Sequence, residues 1–529
     1  MTYSKLILLV ALFLLVGGNL SFYSHLLDVY PLTWKNLPYL LSVSVIFASV
    51  NVILLSLLSY GRATKFVLIT ILLTSAAAAY FMDAYQVVID DDMIDNMLRT
   101  DTAEAIDLIS FKLALYLGLL GLLPAYLVYR APIVRQSLRQ ALISRGILLS
   151  SALLLAVASV LLFGSFYASF AREHKSLRYY ANPSYYLYSL GRTLAKPFKH
   201  DSHTLRIVGE DAKLPETDED RELVVLVVGE TARADHFSLN GYARETNPLL
   251  AREKIASFTN TWACGTSTAA SLPCMFSIYD KDDYSKQKAA ETENLLDVLL
   301  HAGVNVIWLD NNSDSKGVAL RVPYKSYKSP DVNPVCDSEC RDVGMLKYLQ
   351  DYIDEHPQGD IFVVLHQMGN HGPAYYKRYP PNFERFKPVC ESNELSECDK
   401  AAIDNAYDNA ILYTDYFLSQ LIELLKENNE DFEAAMFYVS DHGESLGENN
   451  LYLHGLPDML APDEQKHVPM ILWFSDSYLE DEVSVDRLLP RLGERFSHDN
   501  LFNTVLGLFE VESEIYDPAK DLVKGADGR

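Results

Sequence analysis

The chain has 529 residues and a formal net charge of −25 at pH 7, too long for one ordinary core, so at least two domains are expected. Charge divides it unevenly: residues 1–205 carry 16 Lys and Arg against 11 Asp and Glu, the remainder 29 against 59. The acidic second part lacks the basic face that phosphate backbones require, which excludes nucleic acid as a partner.

Taken in chain order, five apolar stretches are long enough to cross a bilayer, which takes roughly 20 residues. They run near Leu6–Phe22, Leu37–Leu58, Phe66–Ile89, Leu113–Tyr129 and Ile147–Phe170. The first has a Lys before an apolar run, like a secretory signal, but no clear small-x-small cleavage site follows, so it is read as retained. Lys5, the pair Arg62 and Lys65, and the set Arg130, Arg135, Arg139 and Arg145 fall in alternate connections. The excess of base marks these as cytoplasmic. The loop between spans three and four is acidic instead, with Asp90, Asp91, Asp92, Asp95, Asp101, Glu104 and Asp107. The expected arrangement is an amino terminus inside and a large domain outside, which in a Gram-negative cell is the periplasm.

Residues 171–205 mix Tyr179, Tyr180, Tyr185, Tyr186 and Tyr188 with Arg172, Lys175, Arg178, Arg192, Lys196 and Lys199. Tyrosine favours the headgroup level and base attracts anionic lipid, so an interfacial segment is expected, with a plain amphipathic linker helix as the alternative. The polar run at 209–220 reads as the linker proper. The expected division is a membrane domain at 1–170, an interfacial segment and linker at 171–220, and an outward domain at 221–529.

In the outward part, Leu223–Val228, Val304–Leu309, Ile361–Leu365, Ala435–Val439 and Met470–Phe474 are short, Val- and Ile-rich and not alternating. That fits strands buried on both faces. Helical patterns at Asn294–Ala302, Gly344–Glu355 and Ala401–Asn428 separate them, which predicts a mainly parallel sheet covered by helices. Four of these runs end in chemistry-bearing residues: Glu230-Thr231, Asp310-Asn311-Asn312, His366 to His371, and Asp441-His442-Gly443-Glu444. Ligands bind beyond the carboxyl ends of such strands. One loaded end could be a turn; four make a metal site the better reading, and mixed carboxylate and imidazole donors suit Zn²⁺.

The six cysteines fall as near neighbours: Cys264 and Cys274, Cys336 and Cys340, Cys390 and Cys398. An even, locally paired set suggests short-loop disulfides and an oxidising compartment, although spacing alone leaves the connectivity open. The rival, a metal site, has only a Cys-x-x-x-Cys with no His beside it. Between the first pair, Thr266, Ser267 and Thr268 precede an Ala/Ser/Leu run able to start a helix. A hydroxyl there faces unpaired N–H groups and a positive dipole end, which favours phosphate; an ordinary N-cap uses the same residues. A threonine hydroxyl is a poor nucleophile until a metal activates it.

Together, Gly229-Glu230-Thr231, Cys264-Gly-Thr-Ser-Thr268, Asn311 through Lys316, His366-Gln-Met-Gly-Asn-His371, Ser440-Asp441-His442-Gly-Glu-Ser445 and His454-Gly resemble the lipid A phosphoethanolamine transferases, including the mobile colistin-resistance enzymes. The resemblance runs from the five spans to the last strand. It implies a five-helix membrane domain and an alkaline-phosphatase-like α/β sandwich with a mainly parallel central sheet. It implies Thr268 as nucleophile, with Glu230, Asp441, His442 and Thr268 itself as ligands of a tightly held Zn²⁺. His371 and His454 match residues for substrate phosphate or a second Zn²⁺, and Asn312, Ser313 and Lys316 match pocket-lining positions. In the acidic loop Asn96, Thr100 and Glu104 recur at i, i+4, i+8, one helical face. They match positions that hold the ethanolamine headgroup; without the resemblance, a solvated face is the simpler reading. His236 and His366 are competing ligands that the resemblance does not favour.

The implied reaction moves phosphoethanolamine from phosphatidylethanolamine to lipid A phosphate in the inner membrane. It passes through a phospho-threonine and confers resistance to polymyxin and cationic peptides. The expected protein is a monomer in contact with membrane lipid. Core heptose or Kdo are alternative acceptors. Glycerol-phosphate transfer, as in the lipoteichoic acid synthases, is the nearest rival, and the cysteine pairs and acidic-loop match argue against it. A sulfatase would need its own aldehyde-forming signature, and a non-catalytic sensor would lack ligands.

Overall fold

The structure is a computed structural model that describes residues 1–99, 106–134, 136–164, 166–167, 170, 174–195, 205–215, 220–481 and 485–524. It forms two compact units: residues 1–95 with 108–199, and residues 96–107 with 200–529.

The first unit is helical. Four helices, Leu37–Leu58, Gly61–Tyr85, Phe111–Arg130 and Leu138–Leu162, are long and apolar enough to cross a membrane. The first apolar stretch is not one straight helix: Tyr3–Gly17 and Leu20–Val29 meet at 59°. The break falls at Gly18-Asn19, where the buried Asn19 amide donates to the carbonyls of Leu14 and Asn182. The side chain thereby satisfies a helix-end carbonyl that has no intrahelical partner. Among the described residues the unit thus holds four candidate spans, or five if the bent pair counts as one.

The last span starts earlier than its apolar run. Ser137 and Gln140 form a capping box at the head of Leu138–Leu162, so Arg139 and Arg145 lie in the helix rather than in the preceding connection. Hydropathy finds the apolar middle of a helix, whereas capping decides where it begins. Residues 174–195 pack within this unit. Tyr186 is buried with its hydroxyl 2.7 Å from that of Thr74, and the Asn182 amide donates to the carbonyls of Gly18 and Ser75.

The second unit is built on an eight-stranded sheet. The strands in chain order are β1 (Glu222–Gly229), β2 (Ile255–Trp262), β3 (Asn305–Asp310), β4 (Tyr324–Ser326), β5 (Ile361–His366) and β6 (Glu433–Ser440). A small separate hairpin, β7 (Ser445–Leu446) with β8 (Tyr452–Leu453), precedes β9 (His467–Phe474) and β10 (Phe496–Ser497). The order across the sheet is β10-β2-β9-β6-β1-β5-β3-β4. β9 pairs antiparallel with both neighbours, and the remaining pairings are parallel.

The Val- and Leu-rich strands alternate between two cores. Val224, Leu226 and Val228 of β1 join Leu295, Val298 and Leu299 of helix Leu295–Ala302 and residues of helix Leu501–Leu508. Leu223, Val225 and Val227 face the long helix Lys400–Glu427 through Ile403, Ala406, Ile411 and Leu418. Each fully buried Val or Leu contributes roughly 1.5–3 kcal/mol, and burial on both faces explains why these strands do not alternate in polarity. The result is a sandwich of helices on both sides of a mainly parallel sheet.

Candidate active site

Parallel register gathers the site. Gly229 pairs with Ser440 and Val228 with His366 across adjacent strands, and Asp310 pairs with His366. The residues that follow β1, β6, β5 and β3 therefore emerge at one edge. Glu230, Asp441 and His442, all fully buried, bring their ligand atoms within 4.8 Å of one another.

Backbone geometry holds the cluster. Thr231 adopts φ 53°, unusual for a β-branched residue and a form of strain that collects at functional sites. Its N–H donates to Asp441 Oδ1 at 3.3 Å and its carbonyl accepts the Tyr407 hydroxyl at 2.6 Å. Glycine is required at 443, because a Cβ there would lie 2.1 Å from the Glu464 carbonyl oxygen.

His442 Nδ1 donates to the Gly443 carbonyl at 2.9 Å, so in the neutral ring Nε2 presents a lone pair. That lone pair lies 3.3 Å from Glu230 Oε1 and 3.4 Å from Asp441 Oδ2. Neither Asp441 Oδ2 nor His442 Nε2 has a hydrogen-bond partner among the described residues. Burial and the neighbouring Glu230 push the Asp441 carboxyl up. Burial opposes charge on His442, yet Asp441 and Glu230 push its imidazole up. Three converging electron-rich atoms of this kind call for positive charge between them, and the oxygen-and-imidazole donor set fits a divalent metal such as zinc.

Thr268 is the first residue of helix Thr268–Met275. Its hydroxyl lies 3.2 and 3.4 Å from the two Glu230 carboxylate oxygens. The loop before Thr268 folds closely onto this helix: a Cβ at Gly265 would lie 2.8 Å from Ala270 Cβ and 2.9 Å from the Ser271 nitrogen. Cys264 is joined to Cys274, Cys336 to Cys340 and Cys390 to Cys398, and no described cysteine is free. The nearest-neighbour pairs are therefore the ones present.

The other sequence-derived residues sort into three groups. Asn312 belongs to the cluster, since its amide donates to Glu230 Oε2 and to the Gln367 carbonyl, each at 2.7 Å. His371 and His454 lie beside it, with the His454 ring 4.3 Å from that of His442 and 5.4 Å from that of His371. Ser313 and Lys316 are buried next to Asn312, and Lys316 Nζ donates to the Ser313 carbonyl at 3.0 Å. Asn96 sits on helix Asp91–Arg99, while Thr100 and Glu104 lie outside the described residues.

The two competing histidines are engaged by carboxylates. His236 Nδ1 is 2.7 Å from Asp408, and His366 Nδ1 is 2.9 Å from Asp310. Sequence reading placed Glu444 at a loaded strand end without giving it a role, and did not single out Asp342. Asp342 accepts from Asn311 and from the N–H groups of Met368 and Gly369. Glu444, 3.3 Å from His454 Nδ1, has its carboxyl pushed up to about 8 by burial. Glu444 stood in the motif, but Asp342 is one of three acids in a short polar stretch, with Asp337 and Glu339, and nothing local distinguishes it.

A family model described as sulfatase matches residues 222–511, and one described as phosphoethanolamine transferase EptA/EptB matches residues 47–198. Phosphatidylethanolamine transferase Mcr-2 of Escherichia coli is 43% identical over 515 residues, 95% of this chain and 94% of that protein. Phosphoethanolamine transferase EptA of Escherichia coli K12 is 40% identical over 534 residues, 98% and 96% of the two chains. The solved structure of the integral membrane lipooligosaccharide phosphoethanolamine transferase A (EptA) from Neisseria meningitidis superposes with a TM-score of 0.95 at 34% identity, covering 98% of each chain. Identity at this level over nearly the whole length, on the same two-part architecture with a sulfatase-type second half, means that the chain belongs to the EptA and Mcr family and is a phosphoethanolamine transferase.

Proposed function

We propose that this enzyme takes phosphoethanolamine from phosphatidylethanolamine and delivers it to a lipid A phosphate by way of a phosphoester on Thr268. The observation that carries the reading is the Thr268 hydroxyl against Glu230, in a cluster that Asp441 and His442 complete. The donor is the lipid for which the relative Mcr-2, a phosphatidylethanolamine transferase, is named.

Glu230, Asp441, His442 and Thr268 would hold one zinc ion, with His371 and His454 available to substrate phosphate or a second zinc. Such an ion supplies Lewis acidity, easing ionisation of a bound hydroxyl and offsetting charge on phosphoryl oxygens. In the first half-reaction Thr268 Oγ bonds to the phosphorus as the bond to the diacylglycerol oxygen breaks. Glu230 is the acceptor nearest to the threonine proton. Diacylglycerol leaves carrying the proton that the Thr268 hydroxyl gives up, and phosphoethanolamine remains on Thr268. In the second, an acceptor phosphate oxygen bonds to that phosphorus and the threonine oxygen leaves. Lys316 and the imidazoles of His371 and His454 supply donors for phosphate. Asn312 holds Glu230 in place, and Ser313, Asn96, Thr100 and Glu104 are assigned to substrate.

Five spans, an amino terminus in the cytoplasm and residues 221–529 in the periplasm of a Gram-negative cell fit the basic connections and the disulfides, with 171–220 as the joining segment. The working unit is taken as a monomer in contact with membrane lipid. Masking of anionic phosphate by ethanolamine would weaken binding of polymyxin and cationic peptides.

The test is lipid A mass spectrometry from a polymyxin-sensitive host expressing the wild type or Thr268→Ala. One added phosphoethanolamine with the wild type alone supports the reading. A phosphoethanolamine adduct on Thr268 with unmodified lipid A moves the acceptor to core heptose or Kdo. Absence of both overturns the reading.

A further inference from the structure

Thr268 and the residues that follow β6 are not joined by strand pairing, because β9 runs between β2 and β6. Two buried side chains cross that gap. His498 follows β10, the edge strand paired with Thr261 and Trp262 at the end of β2. His498 Nε2 lies 2.9 Å from the carbonyl oxygen of Ser440, the residue before Asp441. A carbonyl only accepts, so Nε2 carries the proton and Nδ1 is the acceptor. Nδ1 receives the Cys264 N–H at 3.1 Å. One imidazole therefore joins the start of the nucleophile loop to the start of the Asp441-His442 segment.

Ser271 makes the second crossing. It lies three residues after Thr268, on the same face of that helix, and its hydroxyl donates to the carbonyl of Asp441. Ser271 Oγ is also 3.3 Å from His498 Nδ1, but its single proton is spent on Asp441, and Nδ1 already has the Cys264 donor. Both side chains are buried, His498 at 2% and Ser271 at 0% exposure. Burial pushes the His498 imidazole down to about 3, in keeping with the neutral form.

We infer that His498 and Ser271 are positioning residues that set the distance between the Thr268 hydroxyl and the Asp441-His442 segment. The inference rests on the transferase reading above. Neither residue touches the reacting atoms, so their loss is felt as misplacement of Thr268, and displacements of about 1 Å can cost on the order of 100-fold in rate.

The experiment uses the full-length protein in detergent micelles with phosphatidylethanolamine as donor, following diacylglycerol release, zinc content and thermal unfolding. His498→Leu removes both hydrogen bonds. It is expected to lower kcat roughly 10- to 100-fold with KM changed by less than about twofold and zinc retained. His498→Gln offers an amide donor to Ser440 and an amide acceptor to Cys264, and is expected to recover most of the lost kcat. Ser271→Ala is expected to lower kcat by about 5- to 10-fold, the equivalent of one hydrogen bond. Wild-type kcat in His498→Leu, an effect on KM instead of kcat, or failure of Gln to do better than Leu overturns the inference while leaving the transferase reading intact. If His498→Leu does not fold, Gln and Ser271→Ala decide, and wild-type kcat in Ser271→Ala overturns it. No diacylglycerol release by the wild type overturns the transferase reading, and the inference with it.

Discussion

The two sides of the site are held in different ways. Glu230 and Asp441 follow β1 and β6, neighbours whose ladder ends with Gly229 opposite Ser440. Their spacing is set largely by the main-chain hydrogen bonds of that ladder. Thr268 follows β2, which β9 separates from β6. Its placement depends on particular side chains: the Cys264–Cys274 bridge, Gly265, Ser271 and His498. A parallel ladder delivers ligands cheaply, whereas the nucleophile must be carried to them contact by contact. The nucleophile loop should accordingly be the more sensitive side in rate, and the ligand side the more sensitive in metal retention.

The largest expected effects separate those two outcomes. Thr268→Ala should abolish transfer, at least about 10³-fold in kcat, with an unchanged fold. Asp441→Asn should cost transfer and zinc together, since a neutral amide is a poorer ligand. Zinc content by mass spectrometry checks the difference, and Thr268→Ala losing metal as completely as Asp441→Asn would break the comparison. Next comes Gly443→Ala, where the added carbon meets the Glu464 carbonyl. Overpacking of this kind costs about 1–3 kcal/mol, read as a lowered unfolding midpoint. Opening the bridge by Cys264→Ala with Cys274→Ala should cost about 2 kcal/mol for so short a loop and a larger share of kcat than Gly443→Ala does.

A further prediction concerns Arg233, which approaches Glu448 at 2.8 Å and Asp235 at 2.7 Å. Burial would raise Glu448, but Arg233 holds it down at about 2. A carboxyl depressed in the folded state stabilises above its unfolded pKa, and the contribution disappears as pH falls through the folded value. Glu448→Gln should therefore be less stable than the wild type above about pH 5. The two unfolding midpoints should converge toward pH 2. The smallest effect is expected at the exposed pair Lys254 and Asp476, 2.9 Å apart, where Lys254→Gln should change stability by no more than about 0.5 kcal/mol.

Much of the architecture was legible because it is written locally. Apolar runs such as Leu223–Val228 are strands buried on both faces, and the residues beyond Val228, Leu309, Leu365 and Val439 stand together because parallel strands share one carboxyl edge. Paired cysteines at short spacing were legible for the same local reason. Hydropathy located the membrane helices but not their ends. It could not register that Ser137 caps a helix through Arg139 and Arg145, nor that Asn19 breaks the first stretch by bonding to Leu14 and Asn182.

What the amino-acid sequence determined by itself is therefore the set of pieces: apolar helices, a sheet-forming second half, and strand ends loaded with carboxylate, imidazole and hydroxyl. Only the tertiary structure decided which of the loaded residues meet. Asn312 turned onto Glu230, His366 was taken up by Asp310, and His498, 230 residues after Thr268 in the chain, became a neighbour of the nucleophile loop. The physical reason is that periodicity and capping act over a few residues, whereas strand order and the pairing of buried polar groups are settled when distant segments pack and every buried donor must find an acceptor.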